Sequence, residues 1–379
     1  MRRGFWKTLY AVTLLAAFLG STLAFLPATA FASSPACGDT ITTSTVLSTD
    51  IGPCPGNGLV IGHNGITLNC AGHTISSTSG VRVGIFLSGR TKVTVENCVV
   101  TGFASGFLLT RSSSSKLIGN TANNNVNYGF RLTSSSKNKL TGNTANNDNG
   151  GGFYLDSSSH NTLTSNTASN ADNSCGTCYD NGFLLIGSSH NTLSKNTANN
   201  NGGEGFELDS ASNSNTLSGN TADSNTDFDG FVVSSNNTLT GNTANGQSNG
   251  FYLVGSSNDI LTGNTANNNV DGFVIGASGT FTGNTASSNG LYGFLLVGSS
   301  NTLTSNKASS NGDDGFNLFS TSISNTITGN TASGNAQYGY YDSSTGSGTA
   351  GTANAYSLDV CTGNLLGGSS PTGLCTPQS

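Results

Sequence analysis

Apolar residues recur along this chain in short bursts, each one to three residues long, set in runs of Asn, Ser, Thr and Gly. The most regular burst begins with a Gly-aromatic pair: Gly106-Phe107, Gly129-Phe130, Gly152-Phe153, and so on to Gly315-Phe316 and Gly339-Tyr340, with Gly84-Ile85 ahead of the series. The spacing is 20 to 25 residues, apart from one 30-residue interval between Gly152 and Gly182. A second marker keeps step: Asn97, Asn120, Asn143, Asn166, Asn196 and onward to Asn330. Two markers holding one period over more than 200 residues identify a repeat architecture.

Each repeat predicts three short strands. In the first, period-two alternation puts Phe153 and Leu155 on one face and Tyr154 on the other. The second is Asn-Thr-Leu-Thr, with Leu163 inward and Thr162 and Thr164 outward; the third is Asn-Thr-Ala, with Ala168 inward. No segment beyond the N-terminal apolar run has 3.6-residue spacing. Strands this short cannot bury a face within one repeat. Repeats stacked as coils of a parallel β-helix can, because like residues then lie over like residues. The expected interior is four columns, Phe107 to Phe316, Leu109 to Leu318, Leu117 to Ile327 and Ala122 to Ala332. The recurring Asn fits a ladder of stacked amides starting at Asn97, and the Gly of each pair is expected to permit a tight corner. The fold class is all-β: about 12 coils, three strands each, on the order of 58 Å long.

These repeats resemble the right-handed parallel β-helix repeats of the pectin-lyase-like superfamily, in particular the short Asn-rich type that includes the copper-maturation proteins found with nitrous-oxide reductase. The segment Ile66-Thr67-Leu68-Asn69-Cys70-Ala71-Gly72-His73-Thr74-Ile75 is similar to their first full coil. The resemblance spans residues 37–375 and implies the fold; the superfamily's lyases, hydrolases, epimerases and adhesins leave the activity open.

Composition sharpens this. Only 8% of the 379 residues are charged and the net charge is −6, which excludes a nucleic-acid binder relying on a basic face. Arg2, Arg3 and Lys7, the apolar run Leu9 to Leu26 and Ala30-Phe31-Ala32 have the three-part pattern of an export signal, with an uncleaved anchor as the other reading. The expected organisation is a signal peptide over 1–32, an N-terminal cap over 33–60, repeats over 61–342 and a C-terminal coil with a disulfide-closed tail over 343–379. No membrane span is expected after signal removal, and the mature chain is expected outside the cell or on its surface. Eight cysteines in an exported chain favour disulfides. The expected pairs are Cys37 with Cys54, Cys361 with Cys375, and Cys70 with Cys98 on neighbouring coils. Cys175 and Cys178 would pinch the loop of the long repeat; a redox or zinc C-x-x-C is the alternative.

Candidate chemistry is sparse. His160 and His190 share one repeat position, as solvent-facing turn residues or as a metal-binding pair; a zinc site combining them with Cys175 and Cys178 fails because the two sets lie at different corners. Superfamily enzymes set charged side chains outward on one strand face. Here the outward positions of the Phe strand supply Arg131, Tyr154, Asp156, Glu207 and Asp209 as the best catalytic cluster, with Glu207 and Asp209 spaced as in inverting glycosidases. Leu184 and Ile186 interrupt it. The same face carries an apolar stripe with Leu184, Tyr252, Val274 and Leu295, a surface for a partner, a second copy, or a polysaccharide stacked on Tyr154 and Tyr252. Asp227, Asp229, Asp271, Asp313 and Asp314 precede the glycines and read as turn formers, with loose calcium binding as the alternative; no cofactor is otherwise expected. The Thr-x-Thr pairs of the second strand, interrupted at Lys139, Ser194, Ser218 and Ile260, resemble the faces of ice-binding solenoids. The expected function is a surface scaffold binding carbohydrate or a surface partner, with a polysaccharide lyase or glycoside hydrolase acting on uronate-type glycans next.

Overall fold

A computed structural model describes residues 34–171, 179–209, 211–225 and 229–377. The proposed signal segment, the Cys175–Cys178 loop and Asp227 lie outside the described residues.

The described chain winds into about 13 coils whose strands form three parallel sheets, of 15, 14 and 13 strands. Sheet A collects the Gly-aromatic strands, such as Phe153–Asp156, sheet B the Thr-Leu-Thr strands, such as Thr162–Thr164, and sheet C the Thr-Ala strands, such as Thr167–Ser169. Register is strict: Phe130 pairs with Phe153 and Phe153 with Phe183, Leu140 with Leu163, and Ala145 with Ala168. All four expected columns are present and buried. From Phe107 to Tyr340, successive rings stack 4.6–4.8 Å apart and within 6° of parallel. Neighbouring strands in open sheets usually rotate by about 20–25°. Here the side-chain ladders hold the coils nearly superposed.

The Asn marker is a ladder, but it starts at Asn120. Asn97 is exposed with φ +55°, and Cys98 takes the ladder position, its N–H donating to Asn120 Oδ1 at 3.0 Å. From Asn120 to Asn330, each amide oxygen accepts the backbone N–H and Nδ2 of the preceding ladder residue, and each Nδ2 also donates to a carbonyl one coil back. The amide is thereby fully used. Two more ladders occupy the other corners, one through Asn138, Asn161, Asn191 and Asn215, the other through Asn125, Asn201, Asn225 and Asn269. The sequence pattern had shown one of three.

The glycines divide into two jobs. The tight corner between sheets B and C falls one residue before the ladder Asn, at Gly119, Gly142, Gly241 and their equivalents, where φ is near +60°. The Gly of the Gly-Phe pair is not at a left-handed corner, contrary to expectation. It is required by packing: a Cβ on Gly230 would lie 2.8 Å from the Ala244 methyl and 2.6 Å from the Gly250 carbonyl oxygen. That close approach is what makes the coil section narrow beside the alanine column.

The ends follow the same winding. The segment expected as an N-terminal cap already carries strands, Thr40–Ile41 in sheet A and Thr45–Val46 in sheet B. The tail adds Ala355–Ser357, Val360–Thr362 and Gly367–Ser370 to sheets B, C and A. Disulfides join Cys37 to Cys54, Cys70 to Cys98 and Cys361 to Cys375, with Cα separations of 5.4, 4.7 and 5.8 Å. The second stands at the head of the Asn ladder.

Candidate functional site

The outward face of sheet A is the place where the chemistry gathers. Its outward column runs in register as Leu108, Arg131, Tyr154, Leu184, Glu207, Val232, Tyr252, Val274, Leu295, Asn317. Arg131 is the one cation in it. Its guanidinium carbon lies 5.4 Å from the Tyr154 ring centre and 5.8 Å from that of Tyr128, a cation–π geometry. Tyr128 and Tyr154 stack on each other at 4.6 Å. Arg131 Nε is buried with no hydrogen-bond partner.

Three coils on, the carboxylates meet. Glu207 accepts a hydrogen bond from Asn181 Nδ2 and its carboxyl is raised above the usual range, first by burial and then by Asp209. Glu204 is pushed up to about 7, by burial first and then by the charges of Glu207 and Asp229. A carboxyl raised toward neutrality by burial and by neighbouring carboxyls suits proton donation. Asp209 has a different role from the one its spacing implied. The strand ends at Leu208, and Asp209 Oδ1 accepts hydrogen bonds from Gly187 N, Ala211 N and Ser212 Oγ, closing a turn. Asp156 is the last residue of its strand, in register with Thr133 and Ile186, and accepts from Ser157 Oγ. The structure therefore sets Glu204 within electrostatic reach of Glu207 and, separately, of Asp229.

A cleft of about 320 Å³ opens beside this group, lined by Glu207, Asp209, Val232, Ser234, Ser235 and Val254. The expected apolar stripe is interrupted rather than continuous. Leu184, Val274 and Leu295 do occupy outward register positions but are 2%, 5% and 9% exposed. With one side chain every 4.7–4.8 Å, each large residue in the column is flanked by the next above and below. Tyr252, Val232 and Val254 remain accessible.

Sequence reading overlooked Tyr128, Asn181 and Glu204. They share the position just before the repeat glycine, and the pre-glycine aspartates were the available signal. That position forms a broken polar column of its own. Asn181 Oδ1 accepts Glu204 N, Asp229 Oδ1 accepts Asn249 N, Asp271 Oδ1 accepts Tyr292 N and Asp314 Oδ1 accepts Tyr338 N. Each aspartate thus commits an oxygen to the next coil.

Residues 172–307 and 232–355 match the family described as right handed beta helix region. The chain is a right-handed parallel β-helix repeat protein. Residues 31–180 of this β-helix match the family described as periplasmic copper-binding protein (NosD). No curated protein matches the chain. Among solved structures it is similar to the A-module of mannuronan C-5 epimerase AlgE6 from Azotobacter vinelandii (11% identity, 87% of this chain and 84% of that one, TM-score 0.44). It is also similar to a tailspike protein mutant of E. coli bacteriophage HK620 in complex with a pentasaccharide (11%, 86% and 67%, TM-score 0.47). A third is the catalytic domain of a GH87 alpha-1,3-glucanase in complex with nigerose (15%, 90% and 62%, TM-score 0.34). No residue role is carried across such distances.

The described residues of this β-helix offer no cluster suited to copper. Among the described residues no three His, Cys, Asp or Glu side chains converge to hold a metal ion, and the cysteines are in disulfides. His160 and His190 stack with ring centres 5.0 Å apart and planes 3° from parallel. An ion between parallel rings lies outside both planes, where no nitrogen lone pair points. Both histidines are exposed at left-handed corner positions, φ +60° and +59°, each just ahead of a ladder Asn. No helix of the described residues is long and apolar enough to cross a membrane.

Proposed function

We propose that this β-helix is an exported, surface-associated scaffold that binds carbohydrate through the outward face of sheet A. The observation that carries this reading is the cleft at Glu207 and Val232. It has a carboxylate wall and a valine floor, and two to three coils away on the same face lies the Tyr128–Tyr154 stack with Arg131 beside it. Sugars present hydroxyls that need fixed donors and acceptors, and C–H faces that pack on aromatic and aliphatic surface. Three disulfides and the signal-like N-terminus support export. A glycan array with the purified chain tests the proposal: retention of one class of glycan, weakened by Arg131→Ala and by Glu207→Gln, is expected. Retention of no glycan, or binding indifferent to both variants, rejects it.

A second reading, glycoside hydrolysis, rests on Glu204 within electrostatic reach of Glu207, both carboxyls raised by burial and Glu204 pushed up to about 7. Reducing-sugar release and unsaturated-product formation on the retained glycans separate the two. Release that Glu204→Gln abolishes makes the face an active site; binding without release keeps it a binding face.

A further inference from the structure

The outward face of sheet B offers a partner surface that the carbohydrate reading does not use. Eight consecutive strands, from Thr162–Thr164 to Thr326–Thr328, each turn two side chains outward. Of these 16 positions, 13 are Thr, two are Ser (Ser194 and Ser218) and one is Ile260, itself β-branched; none is charged and none is buried. Registers are unbroken throughout.

Strand propensity alone does not account for this. Threonine is favoured on any exposed strand. Yet the outward column of sheet A in the same coils holds Tyr, Leu, Glu, Val and Asn and no Thr. Sheet B itself carries Glu96, Lys116 and Lys139 in its earlier coils, so the face tolerates charge where the array stops.

The array is a lattice in two directions. Along the axis the coils repeat at the 4.7–4.8 Å of the Phe column, and the outward residues stay in one register from strand to strand. Across a strand the two outward residues are about 6.6–6.8 Å apart. Eight strands extend the array over about 34 Å. Within it, only the Thr164–Ser194 contact at 3.1 Å and the Thr328 contact with Ser357 at 3.0 Å tie up hydroxyls among the described residues. The others face solvent as donor and acceptor, each beside a methyl group.

A soluble ligand gains nothing from such regularity. It would need a cleft, an aromatic platform or a charge, and the array has none. A regular, uncharged lattice in fixed register rewards a partner that itself repeats. Methyl groups order the water next to them and spaced hydroxyls anchor it, so the array can hold a periodic water layer that a crystal of water continues. We infer that the outward face of sheet B binds ice.

The test uses the whole chain in nanolitre osmometry and ice-recrystallisation assays, with Thr262→Tyr in the middle of the array and Tyr252→Ala on sheet A as the control. Thermal hysteresis and faceted crystals with the wild-type chain and the control, lost in Thr262→Tyr at unchanged thermal unfolding, support the inference. Should Thr262→Tyr fail to fold, Thr280→Lys replaces it, because Lys139 already occupies that column. Ice that grows in the wild-type chain as it does in buffer overturns the inference. So does hysteresis that survives both substitutions, and so does retention on crystalline cellulose or chitin with no effect on ice.

Discussion

Sheets A and B share one interior and differ on the outside. Behind sheet A lie the Phe and Leu columns, behind sheet B the Leu column, all repeated coil after coil. In front of sheet A no outward residue type persists: Arg131, Tyr154, Leu184, Glu207, Val232 and Tyr252 follow one another. In front of sheet B threonine persists for eight strands. The solenoid fixes what points inward and leaves outward positions free. A varied face makes one local site; a uniform face makes a lattice. Both are compatible with the same fold because neither contributes much to it.

The sharpest way to break this comparison is through the shared interior. Phe251→Ala removes one ring from a stack with neighbours 4.8 and 4.7 Å away and should cost about 3–5 kcal/mol in denaturant unfolding. It should weaken both faces together. Asn242→Ala in the B–C ladder comes next. It leaves Asn220 N and Nδ2 without their acceptor and should cost about 2–3 kcal/mol by the same measurement.

The third prediction concerns pH. Asp148 occupies a ladder position and its Oδ1 accepts from Asn125 N and Nδ2, as a ladder amide would. Its Oδ2 stands where a ladder Asn carries an NH₂, and it is buried without a partner. Burial pushes the carboxyl up to about 7, a protonated Asp imitating Asn. Burial likewise raises Asp259, Asp314 and Asp359 to about 6 and Glu204 to about 7. The folded chain thus holds protons that the unfolded chain releases near pH 4. The stability they contribute is complete below pH 4 and is lost as pH rises through 6 and 7. The melting temperature should fall between pH 5 and pH 8, and Asp148→Asn should raise it at pH 8 and flatten the slope. A melting temperature that rises over that range contradicts the assignment.

The smallest expected effect on stability, and the cleanest on function, comes from the faces themselves. Arg131→Ala should weaken glycan retention and leave ice growth inhibition intact, with the melting temperature within a few degrees of wild type. Loss of both activities from this one change would mean that the faces are not independent.

How much of this was legible in the sequence depends on whether the information repeats. The period, the three strands, their inward residues and the three disulfides were readable because each coil restates the same demand. Asn97 was assigned to the ladder one position early because Cys98 replaces the amide there, a substitution that only the register exposes. The Gly of the Gly-Phe pair was assigned to a corner because glycine has two uses, freedom at positive φ and room for a neighbour, and sequence does not distinguish them. The site was less legible still. Alternation placed Leu184, Val274 and Leu295 outward correctly but could not show that an outward side chain in a tight column is buried.

The sequence by itself determined the winding, because a 22-residue period of short amphipathic strands has no other way to bury its apolar faces. It also determined which residues stack, since one register serves every coil. Tertiary structure alone decided which polar residues meet across coils. Glu204 feels both Glu207 of its own coil and Asp229 of the next, whereas Asp209 is drawn into closing its own turn. It alone also decided that the Thr rows stay open to solvent, whereas outward residues of sheet A such as Leu184 are buried between their larger neighbours.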